Sequence, residues 1–222
     1  MPRLPRAIAV GYPHHITQRG NHREAVFTEP GDYSRYLKWL AQYAEKYGFD
    51  VWAYCLMPNH VHLMVVPRGP EGLAPAIGEV HRRYTRMINF RERWRGYLWQ
   101  GRFASFPMER RYATACARYI ELNPVRAKLC KRPEQWPWSS ARAHLSGGYD
   151  GLIRSPKPLR DRGEWASLLK GRMAEAEAEA IRRGERTGRP LGSAGFIEKL
   201  EVALGRTLKP QQPGRKKNLK EK

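Results

Sequence analysis

Two strand-like runs separated by only three residues constrain this chain more than any other feature. Phe49 to Leu56 and His60 to Val66 are rich in aliphatic and aromatic residues, and only Met57-Pro58-Asn59 lies between them. Runs that close fold back on each other as an antiparallel hairpin. A hairpin is marginal alone in water, so the flanking sequence must supply strands and helices to cover it. Upstream, Ile8 to Thr17 has β-branched and aromatic character and ends at the turn signal Arg19-Gly20-Asn21. Tyr36, Leu37, Leu40, Ala44 and Tyr47 then recur at helical spacing, with Asp32 placed to cap the start and Gly48 to end the helix. Beyond the break at Pro67 to Pro70, the pattern predicts a helix from Leu73 to Arg93 and a strand from Tyr97 to Phe106. A third helix, from Arg110 to Glu121, should stop before Pro124. Strand, helix, strand, strand, helix, strand is a split βαβ arrangement. The predicted fold class is therefore α+β: a ferredoxin-like βαββαβ antiparallel sheet with an additional C-terminal helix.

Residues 1–145 read as this one domain. Residues 146–209 read as a partly helical C-terminal extension, opened by Gly147-Gly148 and the Pro156 to Pro158 loop. Within it, Arg172 to Arg183 alternates Ala and Glu with no broad apolar stripe, which predicts an exposed or loosely docked helix. Phe196 to Leu204 predicts one more short amphipathic helix. Residues 210–222 are basic, polar and Pro/Gly-containing, the composition of a disordered tail.

Lys and Arg total 41 against 21 Asp and Glu, a formal charge of +20. Such an excess points to a polyanionic partner rather than to a fold. A hydrophobic content of 41% is too high for a disordered chain. The longest apolar stretches, such as Leu63 to Val66, are strand-sized, and the apolar patch at Ala7 to Val10 is too short for a signal peptide. The expected compartment is the cytoplasm, in association with the nucleoid. Cys55, Cys116 and Cys130 have no CxxC spacing, so they read as reduced, mostly buried thiols rather than as a disulfide framework or a zinc module.

His60-Val61-His62 carries the strongest chemical signal. On a strand, residues two apart share a face and lie about 6–7 Å apart, so both imidazoles can converge on one divalent cation while Val61 enters the core. Two imidazoles completed by oxygen ligands suit Mg²⁺ or Mn²⁺. Tyr119 and Asn123 are one helical turn apart and can face the same partner. A positioned tyrosine can act as a covalent nucleophile. Tyr84 is the rival nucleophile, and His14 and His15 are rival ligands that strand alternation places on opposite faces. Basic and aromatic residues interleave from Arg82 to Arg111, where Arg82, Arg83, Arg86, Arg93, Trp99, Arg102, Arg110 and Arg111 are candidate nucleic-acid contacts. In the tail, Arg215, Lys216 and Lys217 are candidate phosphate contacts.

The run Met57 to Val65 (MPNHVHLMV) resembles the His-hydrophobic-His motif of single-tyrosine transposases. Tyr12 to Asn21 (YPHHITQRGN), Leu98 to Phe103 (LWQGRF), Arg118 to Ala127 (RYIELNPVRA) and Trp136 to Ser140 (WPWSS) are similar to the same family in the same order. The resemblance is to the REP-associated tyrosine transposases and covers residues 1–145, continuing weakly at Arg186 to Gly192. It implies an enzyme that cleaves and rejoins single-stranded, hairpin-forming DNA. By the same resemblance, His60, His62 and Asn123 would hold Mg²⁺ or Mn²⁺, and Tyr119 would form a 5′-phosphotyrosine. Asn123 departs from the Gln found in related single-strand transposases and is one methylene shorter. The alternatives are a hairpin-binding protein that no longer cuts, another metal-dependent nuclease or an RNA-binding protein. The expected partner is single-stranded or hairpin DNA and no membrane, with a monomer and a homodimer both open.

Overall fold

The computed structural model describes residues 5–156, 159, 161–171 and 173–210. Its centre is a four-stranded sheet ordered β2-β3-β1-β4, from β1 (His14–Arg19), β2 (Phe49–Met57), β3 (His60–Pro67) and β4 (Ala104–Pro107). Every pairing is antiparallel. With α1 (Pro30–Tyr47) between β1 and β2, and α2 (Leu73–Glu92) between β3 and β4, the order is the ferredoxin-like βαββαβ arrangement.

The alternation of β3 sorts its side chains. Val61, Leu63 and Val65 are fully buried with Ile16, Leu40 and Ile77 in the core under α1 and α2. Glu29 and Asp32 form a capping box at the α1 N-terminus, and left-handed Gly48 closes the helix. Asp32 therefore caps from inside the first turn. Arg91, near the end of α2, grips both Asp32 oxygens at 2.6 and 3.1 Å and joins the two helices. Burial alone would push the Asp32 carboxyl up, but Arg91 and the Thr28 and Glu29 amides hold it below its ordinary value.

The opposite face of the sheet is covered by α3 (Ala113–Glu121), α6 (Arg162–Lys170) and α7 (Glu175–Thr187), whose Cys116, Ile120, Trp165 and Ile181 pack on Cys55, Met64 and Phe106. The buried Glu121 carboxylate accepts hydrogen bonds from Ser140 Oγ and Trp165 Nε1 at 2.6 and 2.9 Å, with His144 Nδ1 2.6 Å away. It thereby ties α3 to α5 (Ala141–Ser146) and α6. Finally, α8 (Ala194–Leu204) packs Phe196 and Leu200 against Ala7 and Ala9.

Four expectations are corrected. Strand β1 begins at His14 instead of Ile8, because Ala7 and Ala9 are drawn into the α8 cluster. The predicted strand from Tyr97 shrinks to Ala104–Pro107, since Gly96 and Gly101 adopt φ of 98° and 67°, left-handed bends that interrupt extended pairing. The third helix is α-helical only from Ala113, with Arg110–Tyr112 forming a 3-10 turn before it; it ends at Glu121, before Pro124, as expected, and Pro124 sits in the first turn of the separate α4 (Asn123–Arg126), where its missing N–H costs nothing. The Ala/Glu-rich helix is docked, not loose. Ala178, Ile181 and Gly184 of α7 are buried, and a Cβ at Gly184 would meet the Phe106 ring at 2.7 Å. The basic tail with Arg215, Lys216 and Lys217 lies outside the described residues.

Candidate active site

The register of β1 against β3 pairs Thr17 with His62 and Arg19 with His60. Both histidines of the His-x-His triplet therefore face α3 and α7, as the alternation predicts. Their ring centroids are 4.9 Å apart. His15 reaches the same face: its Nε2 lies 3.0 Å from His62 Nδ1, and the two rings stack at 5.2 Å. His14 turns to the other face and accepts from the Ala9 amide, a structural contact. Of the rival ligands, His15 thus joins the site and His14 does not.

Tyr119, on α3, brings its ring edge-on to His15 and to His62, with centroids 6.1 Å from each. Arg126 places its guanidinium 4.1 Å above the Tyr119 ring. Burial and the nearby Glu185 carboxylate push the Tyr119 phenol up to about 12, against the lowering effect of Arg126. Tyr84 is fully buried and donates to the Val26 carbonyl at 2.7 Å, so it is core rather than nucleophile.

The structure brings Tyr119, His60 and His62 onto one face. It does not present Asn123 as expected: its Oδ1 accepts from Arg126 at 2.9 Å, and its amide donates to the Tyr119 carbonyl at 3.2 Å. A short carboxamide at the turn into α4 is spent on the helix junction. The acidic oxygen beside the histidines comes instead from α7. Glu185 Oε1 lies 3.6 Å from both His15 Nδ1 and His62 Nδ1. Sequence reasoning missed Glu185, and the only hint was the family-like stretch that begins at its neighbour, Arg186.

Burial is the first cause of every shift in this cluster. His15 falls to about 3 and His60 to about 4, His62 lies well below the usual imidazole range, and Glu185 rises to about 7. His60, His62 and Glu185 line one cavity of about 550 Å³, together with Arg19, Arg102, Arg186 and Arg189. The donor set fits a divalent cation. His15, His62 and Glu185 can each offer a ligand atom within 4.8 Å of the others, and His15 Nδ1 and Glu185 Oε1 are buried without a hydrogen-bond partner.

A second, larger groove of about 1170 Å³ runs along the end of α2, lined by Arg82, Arg86, Arg93, Trp94, Arg95 and Tyr97. Phe90, Trp94 and Tyr97 are 88%, 52% and 90% exposed, unusual for side chains of their size. Trp99 differs from its expected role, being packed inside against Tyr36, His81 and Tyr84. Arg83 turns towards α1, stacking on Trp39 at 4.7 Å, while Arg110 donates to the Gly11 carbonyl and Arg111 pairs with Glu109.

The fold and site together are a ferredoxin-like antiparallel sheet with His15, His60 and His62 on the face covered by the helix that carries Tyr119. The chain belongs to the IS200-like transposase family, whose model matches residues 10–123. A REP-associated tyrosine transposase of Escherichia coli (strain K12) is 22% identical over 101 residues, 45% of this chain. A putative REP-associated tyrosine transposase of Haemophilus influenzae is 27% identical over 110 residues, again 45% of this chain. The chain spans 59% of the length of the first relative and 62% of the second. A solved structure of a REP-associated tyrosine transposase bound to a REP hairpin aligns at a TM-score of 0.57 with 20% identity, covering 70% of this chain and 93% of that one. That likeness supports the fold.

Proposed function

We propose that this protein cleaves and rejoins single-stranded, hairpin-forming DNA through a covalent phosphotyrosine on Tyr119. The observation that carries this reading is the approach of Tyr119 to His62 and His15 on one sheet face of a chain in the IS200-like family. His60 and His62, with oxygen from a neighbouring side chain, would hold a divalent cation such as Mg²⁺ or Mn²⁺. When bound, that cation supplies Lewis-acid polarisation of the scissile phosphate.

The chain's own residues do the rest. Tyr119 gives its phenolic proton to solvent as its oxygen attacks phosphorus, and the departing 3′ oxygen takes a proton back from solvent. The bond to the 3′ oxygen breaks, that oxygen leaves as a 3′-OH, and the phosphate stays on Tyr119 as a 5′-phosphotyrosine. Attack by another 3′-OH reverses the step and restores the phenol, so no external energy source is consumed. Arg126 sits over the Tyr119 ring and opposes the upward push of burial on its proton affinity. Arg19, Arg102, Arg186 and Arg189 give the cavity the positive wall that a phosphate backbone requires.

The proposed DNA path crosses both grooves. The segment 98–103 separates them: Gly101 faces the larger groove, while Gln100, Arg102 and Phe103 line the smaller. Exposed Phe90, Trp94 and Tyr97 beside Arg86 and Arg93 form the aromatic and cationic surface on which unstacked bases are held, worth about 1–3 kcal/mol per stacked base. No helix among the described residues is long and apolar enough to cross a membrane.

The test is a denaturing gel of the protein with single-stranded hairpin DNA and Mn²⁺. Wild type is expected to form a covalent adduct. Tyr119→Phe should lose it while retaining hairpin binding, and an undiminished adduct from that variant would refute the assignment.

A further inference from the structure

We infer that Glu185, carried by the C-terminal extension, supplies the acidic ligand of the divalent cation held at His62, on the side of His62 that His15 occupies. The inference deepens the cation site proposed above and rests on that reading.

The distances suit it. Glu185 Oε1 is 3.6 Å from Nδ1 of His15 and 3.6 Å from Nδ1 of His62. These are the separations of neighbouring ligands around one ion with metal–ligand bonds of about 2.0–2.2 Å. Glu185 Oε1 and His15 Nδ1 are buried and lack any hydrogen-bond partner. Buried donors and acceptors are almost always satisfied, and a carboxylate oxygen without a hydrogen-bond partner between two imidazoles is suited to ligate a cation.

The helix that carries Glu185 supports the same assignment. On α7, Arg182 donates to Glu179 at 2.9 Å and pairs with Glu175, and Arg186 donates to Glu179 at 2.6 Å. Glu175, Glu179, Arg182 and Arg186 satisfy one another, and Glu185 is left to the histidines. Its position is fixed by packing, because Gly184 sits against the Phe106 ring and allows α7 to approach β4 closely. Asn123, the ligand expected from sequence, has its amide oxygen engaged by Arg126.

Mn²⁺ binding, followed by electron paramagnetic resonance and by the rise in melting temperature on adding Mn²⁺, tests this without DNA or turnover. Wild type should bind one Mn²⁺ and melt higher in its presence. Glu185→Gln, which keeps the shape, should weaken binding by about 10-fold or more and lose most of the thermal shift. Glu185→Asp should restore part of both, and Asn123→Ala should stay near wild type. Wild-type binding by Glu185→Gln, or a loss carried by Asn123→Ala instead, would overturn the inference. Absence of Mn²⁺ binding by the wild type would overturn the cation site itself. The melting curve without metal reports folding: Glu185→Gln removes an unsatisfied buried carboxylate and should melt no lower than wild type.

Discussion

At the scale of single residues, the chemistry depends on how burial treats a few ionisable groups. Tyr119 is two-sided: burial and Glu185 hold its proton more tightly, to about 12, while Arg126 pulls the other way from 4.1 Å above the ring. Removing Arg126 therefore raises the phenol further and leaves less of the reactive phenolate at any given pH. Arg126→Ala is expected to slow adduct formation by about 10-fold and shift its pH profile to the alkaline side, in line with ~1–2 kcal/mol for a partly desolvated cation over an aromatic face. Single-turnover adduct yields between pH 6 and pH 10 would read this, and an unshifted profile would contradict it. Arg126→Lys keeps a charge but loses the planar stacking, so it should fall between the two.

At the scale of elements, α7 is what carries Glu185 to the histidine cluster. Its docking depends on Gly184, where a Cβ would lie 2.7 Å from the Phe106 ring, an approach side chains do not tolerate without movement. Gly184→Ala is expected to cost about 1–3 kcal/mol by overpacking, despite the better helix propensity of alanine. Displacing α7 should also withdraw Glu185 and weaken Mn²⁺ binding. Urea unfolding and Mn²⁺ titration of the same variant would show both losses, and a stabilised variant would disprove the close approach. The elements also show what sequence reveals and what it hides. The hairpin Phe49–Met57/His60–Pro67 and the helices Pro30–Tyr47 and Leu73–Glu92 were legible because period and breakers agreed locally. The strand predicted from Tyr97 was not, since the left-handed bends at Gly96 and Gly101 answer to the tertiary path rather than to neighbouring residues. Helix α7 looked loosely docked because its apolar stripe is only Ala178, Ile181 and Gly184, narrow but well matched to Phe106.

At the scale of the whole molecule, several histidines are buried neutral, and this makes stability depend on pH. Burial lowers His14 to about 4 and His81 to about 3, while both return to about 6.5 when the chain unfolds. Between pH 6.5 and about 4 the unfolded chain therefore binds more protons than the folded one, so stability falls as the pH drops. Each group contributes up to about 1.4 kcal/mol per pH unit within that window. The urea midpoint should be highest near neutrality and decline steadily from pH 6.5 to pH 4, and a flat midpoint over that range would contradict the burial of these imidazoles as neutral groups. The +20 charge also acts at this scale. Arg82, Arg86, Arg93 and Arg95, close together in sequence, line the larger groove, whereas Arg19, Arg102 and Arg186, far apart along the chain, meet around the histidine cavity.

The sequence by itself determined the order of strands and helices and the shared face of His60 and His62, while the link between Tyr119 and that face came only as what the family resemblance implies. The first two follow from local periodicity, which one stretch of chain is enough to specify. Only the tertiary structure decided that His15 joins His62, that Asn123 is spent on Arg126, and that Glu185 arrives from the C-terminal extension. Those outcomes depend on strand register, on one turn at Pro124 and on the absent side chain at Gly184, each of which brings together residues that no local pattern connects.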